Sequence, residues 1–251
     1  MALVEVEVRG PVRRVLLNRA EKRNALNPEM ISLLNEAFTA PLKQGERLML
    51  IEAAGPSFSA GLDLRERDGR AQGIKPFEEM LHALETYPLP VVAAVQGAAI
   101  AGGNELALHC DLVVASTAAK FGMSPAQIGL APSWFLCKKL QEVAGPVATR
   151  RILFLGDPLS AREIYDLGII SHIAEPDQLQ GTVDRIVERL AANAPLSLKA
   201  LKAVLVRQMT FRDGIAHEDL DEMLGRVRES EDAREGIAAF LERRKPNFQE
   251  R

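Results

Sequence analysis

Pro90-Val91-Val92-Ala93-Ala94-Val95-Gln96-Gly97-Ala98-Ala99-Ile100-Ala101-Gly102-Gly103-Asn104-Glu105-Leu106-Ala107-Leu108-His109-Cys110 is the stretch from which the rest of the chain is read. Its apolar run Val91 to Val95, bounded by Pro90 and Gln96-Gly97, fits a short strand buried on both faces. The small residues from Gly97 to Gly103 let one backbone approach another closely. Asn104 to Leu108 then reads as a helix with Glu105 in its first turn, its unpaired N–H groups beside Gly102 and Gly103. One reading is a helix N-terminus aimed at a developing negative charge, with a carboxylate one turn on. The other is a glycine-softened turn and a solvated Glu, and the stretch alone leaves both open.

Upstream, Val4 to Val8 and Val12 to Leu17 read as a hairpin around Arg9-Gly10-Pro11. Asn27-Pro28-Glu29 is an N-cap followed by Pro at the first helical position, opening a helix expected to run to about Gln44. Arg47 to Ala53 reads as a second buried strand. Gly55 to Leu64 repeats the small-residue pattern, Asp68 to Gly73 is a candidate mobile loop, and Pro76 to Tyr87 is a helix. Downstream, Asp111 to Ala115 is a strand and Lys120 to Pro132 is irregular. Ser133 to about Glu142 and Val147 to Phe154 are helical. Ser160-Ala161-Arg162-Glu163 is a capping box opening Ala161 to Leu167, and Ile169 to Ile173 is a strand. Helices alone close the chain: Pro176 to Asn193, Ser197 to Met209, Asp213 to Glu229 and Ser230 to Glu242. Alternating strands and helices followed by helices give an α/β core with a helical appendage, divided here as residues 1–193 and 194–251.

The chain has 251 residues, 47% of them hydrophobic, enough for a substantial core. A net charge of -3 gives no reason to expect a nucleic-acid or anionic-membrane surface. No stretch approaches the ~18 uncharged apolar residues of a membrane span. The N-terminal Met1 to Val8 alternates apolar and acidic residues, unlike a signal peptide. Cys110 and Cys137 lack metal spacing and suggest reduced thiols in a cytoplasmic protein. The histidines His82, His109, His172 and His217 do not cluster, so no metal site is expected.

Ser59-Ala60-Gly61-Leu62-Asp63-Leu64 and Ala101-Gly102-Gly103-Asn104-Glu105-Leu106 share a pattern, small residues after a strand and then polar or helical sequence. One backbone N–H from each could converge on a carbonyl oxygen, which is how an oxyanion hole is built. With Leu17-Asn18-Arg19, Asn24-Ala25-Leu26, Phe121-Gly122, Gly156 to Ile170 and Phe240 to Phe248 in the same order, the chain resembles the enoyl-CoA hydratase/isomerase (crotonase) family over nearly its whole length. The resemblance implies a spiral of ββα turns, with C-terminal helices that build a homotrimer or a hexamer of two trimers. It implies an acyl-CoA thioester substrate, so that coenzyme A comes with the substrate and no separate cofactor is needed. The thioester oxygen would sit between the N–H groups of Leu62 and Gly102, with Glu105 as the catalytic carboxylate. Ala60, Asp63 and Arg65 fall beside the substrate, and Lys22 and Arg23 in a loop that lines the adenine pocket in relatives. Phe240 and Arg243 fall where a neighbouring subunit's last helix commonly reaches the nucleotide end. Trp134 is a candidate wall of the acyl pocket.

The resemblance breaks at one position. Hydratases of this family use a pair of glutamates, and counting on from Glu105 puts the second at Pro125, which cannot hold a proton. The run Phe121 to Gly129 is similar to branches that include methylmalonyl-CoA decarboxylase, whose distinguishing His and Tyr would fall at Leu62 and Pro132. Ser124, Gln127, Ser133 and Cys137 are other polar groups within plausible reach. Hydration or double-bond isomerisation on Glu105 alone is therefore expected first, decarboxylation second, and a non-catalytic acyl-CoA-binding homologue third.

Overall fold

The computed structural model describes residues 2–66, 74–210 and 214–249; the loop expected at Asp68 to Gly73 lies outside them. The N-terminal half alternates strand and helix: β1 (Val4–Arg9), β2 (Val12–Leu17), α1 (Pro28–Thr39), β3 (Leu48–Ala53), α2 (Lys75–Glu85), β4 (Val91–Val95), β5 (Ala99–Ile100) and α3 (Gly102–Leu108). It continues with β6 (Leu112–Ser116), β7 (Lys120–Gly122), α4 (Trp134–Leu155), β8 (Leu159–Ser160), α5 (Ala161–Asp166), β9 (His172–Ala174) and α6 (Leu179–Ala192). Three helices close the chain, α7 (Pro195–Met209), α8 (Glu218–Glu229) and α9 (Glu231–Glu242).

A six-stranded sheet runs in the order β1-β2-β3-β4-β6-β9, antiparallel only between β1 and β2. A smaller sheet holds β5, β7 and β8, and Ser59 bridges onto β5 at Ala99. Each pass of the chain thus places a strand in the large sheet, then a short one in the small sheet, then a helix. β3, the Ser59 bridge and α2 make one turn of this spiral, and β4, β5 and α3 make the next. Such a pass brings the ends of consecutive strands, and the small residues that follow them, side by side.

β4 is apolar throughout because both faces of the sheet are covered. Val91, Ala93 and Val95 face the main core with Met49 and Ile51, while Val92 and Ala94 pack with Leu48, Leu50 and Val114 against Leu179 and Val183 of α6. Each such branched side chain taken fully out of water contributes about 1.5–3 kcal/mol.

Several element ends differ from the sequence expectation for local reasons. α1 stops at Thr39 rather than Gln44, because Ala40 precedes Pro41 and turns extended (ψ 137°). The two helices expected after Ser133 are both present within the span labelled α4, and they meet at Gly145 (φ 70°, ψ 170°), which is not helical and precedes Pro146. The strand expected from Ile169 begins at His172, and α8 begins at Glu218 rather than Asp213. Within the irregular stretch, Pro125–Ile128 forms a 3-10 turn. α9 docks on that turn, so tightly that a Cβ on Gly236 would lie 2.3 Å from the Ile128 carbonyl oxygen.

Candidate active site

Two loops hold the Ser59 to Leu64 segment in place. Arg19, 5% exposed, donates to the Ala25 carbonyl (2.9 Å), to Asp63 (2.8 Å) and to Glu66 (2.6 Å). Burial opposes the Asp63 charge, but the Arg19 hydrogen bond and charge outweigh it and hold the carboxyl below its ordinary pKa. Asn24, at φ 52°, donates to the carbonyls of Ala54 and Ser57, and Ser59 Oγ donates to the Asn24 carbonyl. Backbone bonds from Leu26 to Gly61 and from Asp63 to Leu26 flank Leu62, and its own N–H has no acceptor among the described residues.

On the other side, β5 delivers the chain to Ala101, whose N–H donates to the Gly122 carbonyl at 2.7 Å. Ala101 sits at φ 48°, strained for a residue with a Cβ, and this turn aims the start of α3 at Leu62. A Cβ on Gly102 would lie 3.3 Å from the Leu62 nitrogen, and one on Gly61 would lie 3.0 Å from the Gly102 nitrogen. The N–H groups of Leu62 and Gly102 are therefore neighbours, and both are unused within the described residues.

They border a cavity of about 210 Å³. Its wall is mostly apolar, with Phe77, Ile100, Met123, Ile128, Leu136 and Phe240 among the contributors, and Glu105 reaches it from α3. Glu105 is 1% exposed and neither carboxylate oxygen has a partner in the described structure. Burial pushes its pKa up to about 8, against the opposing charge of Lys139. His109, one turn on, donates its Nδ1–H to the Glu105 carbonyl (2.8 Å), and Nδ1 stands 3.9 Å from the Glu105 Oε2. Burial first, then the Lys139 charge, brings His109 down to about 4, so it is neutral beside Glu105.

Ala60, Leu62, Leu64 and Phe240 also line a second, more open groove of about 580 Å³, which continues from the cavity. Lys22, Arg23, Arg65 and Arg243 bring four cations to it against Glu21 and the Arg19-bound Asp63. Pro125 lines the cavity, as do Ser124, Gln127 and Pro132. Gln127 is held by its amide to the Leu155 carbonyl at 2.9 Å.

Other expected positions fall elsewhere. Trp134 is in a neighbouring cleft, stacked on His217 at 4.8 Å between ring centroids, and is not part of the cavity wall. Ser133 caps α4 and borders that same cleft. Cys137 donates to the Pro132 carbonyl at 3.9 Å, and burial raises its thiol to about 11. Phe240 of α9 and Arg243 just after it line the groove from the chain's own C-terminal end, α9 packing on the 3-10 turn. Arg228 of α8 lines the cavity and was not anticipated, since its surroundings in sequence are charged and read as a solvated helix face.

Residues 7–251 match the family described as enoyl-CoA hydratase/isomerase. The (E)-benzylidenesuccinyl-CoA hydratase of Thauera aromatica is 34% identical over 98% of this chain and 98% of its own. The short-chain-enoyl-CoA hydratase of Clostridium acetobutylicum is 30% identical over 96% of this chain and 95% of its own. Among solved structures, a methylmalonyl CoA decarboxylase complexed with 2S-carboxypropyl CoA superposes with a TM-score of 0.93 at 25% identity, covering 100% of this chain and 99% of that one. No helix among the described residues is long and apolar enough to cross a membrane. With its ββα spiral, paired N–H groups and these relatives, the chain belongs to the enoyl-CoA hydratase/isomerase family.

Proposed function

We propose that this enzyme adds water across the α,β double bond of an acyl-CoA thioester, and removes it in reverse, with Glu105 as its acid–base group. The single observation that carries the reading is an unpartnered, buried carboxyl facing an apolar cavity beside two unused N–H groups. The thioester oxygen accepts from Leu62 N–H and Gly102 N–H. The Glu105 carboxylate takes a proton from water, whose oxygen bonds to Cβ while the double-bond electrons move toward the thioester. The enolate that forms is stabilised by the two N–H donors. Glu105 then returns the proton to Cα, and the carboxylate is restored. This cycle needs one carboxyl group, which suits a site with Pro125 at the second position. The nucleotide end of CoA lies along the groove of Lys22, Arg23, Arg65 and Arg243.

A second reading is decarboxylation, favoured by the likeness to methylmalonyl CoA decarboxylase. Leu62 and Pro132, where the resemblance puts that enzyme's His and Tyr, offer no side-chain proton donor. A panel of crotonyl-CoA, glutaconyl-CoA, a 3-enoyl-CoA and methylmalonyl-CoA, read by mass, tests the choice. The expected result is gain of one water on a 2-enoyl-CoA. Loss of CO2 without hydration would select the second reading, and binding without turnover the non-catalytic one.

The active assembly is a trimer or a pair of trimers. α7 leaves Leu196, Leu201, Val204 and Leu205 more than half exposed, and α4 leaves Val147 and Phe154 so. In α8 and α9, Met223 and Phe240 are also more than half exposed. Apolar surface on this scale is covered by symmetric association. Sedimentation should give three or six times the 27.5 kDa chain mass, and a monomer at micromolar concentration would reject it.

A further inference from the structure

The cavity contains a charge that the hydration chemistry does not use. Arg228 lines it together with Glu105, from the last turn of α8. Its Nε is buried without a partner. Arg228 as a whole is half-buried, between the cavity and the neighbouring cleft. The acidic group whose field it feels is Glu78, half-buried with Oε1 unpartnered, and burial raises the pKa of that carboxyl. Glu78 meets Arg228 through charge alone, its own side-chain hydrogen bond going to Ser133.

A cation in the last turn of a helix is favourable with the helix dipole, and this accounts for Arg226 on the exposed side. It does not account for a second guanidinium at the cavity wall with its Nε buried and unpartnered, because a buried donor left without an acceptor is costly. Location narrows what the anion is. Arg228 and Ile74 border both the cavity and the cleft of Trp134 and His217, and neither lines the cationic groove. Arg228 thus stands on the side of the cavity away from the CoA groove, out of place for a CoA phosphate.

We propose that the acyl group carries a second carboxylate, on the side away from the thioester, and that Arg228 is the residue that selects it. The substrate class is then a dicarboxylic enoyl thioester. This rests on reading the cavity as the acyl site. A guanidinium offers paired N–H donors that match a carboxylate, and in an apolar wall the pair is poorly screened. An uncharged acyl group would leave Arg228 Nε without an acceptor.

Binding of saturated ligands separates this from the chemistry. Glutaryl-CoA and butyryl-CoA are titrated calorimetrically into the full-length wild type, Arg228→Met and Arg228→Lys. The wild type should bind glutaryl-CoA about 10–100-fold more tightly than butyryl-CoA, the range for a charged hydrogen bond. Arg228→Met should bring the two affinities together, and Arg228→Lys should keep part of the difference. Equal affinities in the wild type, or an unchanged preference in Arg228→Met, would overturn the proposal. If butyryl-CoA binds without preference, the acyl-site reading stands and only the carboxylate is lost. If neither thioester binds more tightly than free CoA, the acyl-site reading itself fails, and this proposal with it.

Discussion

Glu105→Gln is expected to lower kcat on a 2-enoyl-CoA by about 10²–10⁴-fold, the contribution of one positioned acid–base group, and to raise the thermal midpoint at the same time. The amide keeps the shape of the side chain but cannot take a proton from water. The stability gain follows from burial. Glu105 has no partner for either oxygen, and its neighbour His109 is neutral above about 4. The folded pKa is raised from 4.5 to about 8, so the protein takes up a proton on folding between those values. The stability of that protonated carboxyl is fully present below 4.5 and is lost as pH rises through about 8. An amide at this position has no such dependence, and the gap between the melting curves of wild type and Glu105→Gln should widen as pH rises from about 4.5 to about 8 and stay constant above that. Kinetics should move the opposite way with pH. The carboxylate form begins and ends the cycle in both directions. For hydration and for dehydration alike, kcat/KM should therefore rise with pH to a plateau above about 8. Undiminished turnover in Glu105→Gln would remove Glu105 from the mechanism.

The parts of this site that the sequence displays are those fixed by local physics. Val91 to Val95 is a short apolar run because helices cover both faces of its sheet, and the glycines after it are small because backbones meet there. Glu105 stands out because a carboxylate is placed next to such a meeting point. The convergence of Leu62 N–H and Gly102 N–H was readable only by pairing two similar segments far apart in the chain. Arg228 was not readable at all. α8 carries acids in its first turns (Glu218, Asp219, Asp221, Glu222) and bases in its last (Arg226, Arg228), the pattern of a solvated helix, and only the docking of α9 on the 125–128 turn folds that end of the chain over the cavity. That docking depends on Gly129 and Gly236, whose absent side chains leave room for backbone contact at 2.6 Å and 2.3 Å from a notional Cβ. The same docking brings Phe240 to the groove from the chain's own C-terminal end. Trp134 lies off the cavity wall for a related reason: it opens α4, and the helix turns it toward His217 rather than toward Glu105.

Gly103→Ala is expected to cost more activity than its small volume suggests, lowering kcat by about 10²–10³-fold, comparable to losing one oxyanion donor. The argument is one of registration between two backbones. A Cβ at Gly103 would lie 2.3 Å from the Ser59 carbonyl oxygen and 2.7 Å from Ser59 Cβ, distances that cannot be kept. Ser59 has little freedom to retreat. Its carbonyl accepts from Ile100 N–H at 2.9 Å, and its Oγ donates to the Asn24 carbonyl and accepts from Gly61 N–H. The start of α3 must therefore move away from the Ser59 to Leu62 segment, and this pulls Gly102 N–H away from Leu62 N–H. Overpacking of this kind typically costs about 1–3 kcal/mol, which in a chain of this size lowers Tm by about 2–4 °C per kcal/mol. Gly181 in α6 supplies the contrast. It is exposed, helical and has nothing within 4 Å of a notional Cβ, so Gly181→Ala should stabilise the fold slightly and leave kcat unchanged. The decisive comparison is kcat measured well below the melting temperature of each variant. A folded Gly103→Ala enzyme with wild-type turnover would mean that this backbone contact does not hold the two N–H groups in register.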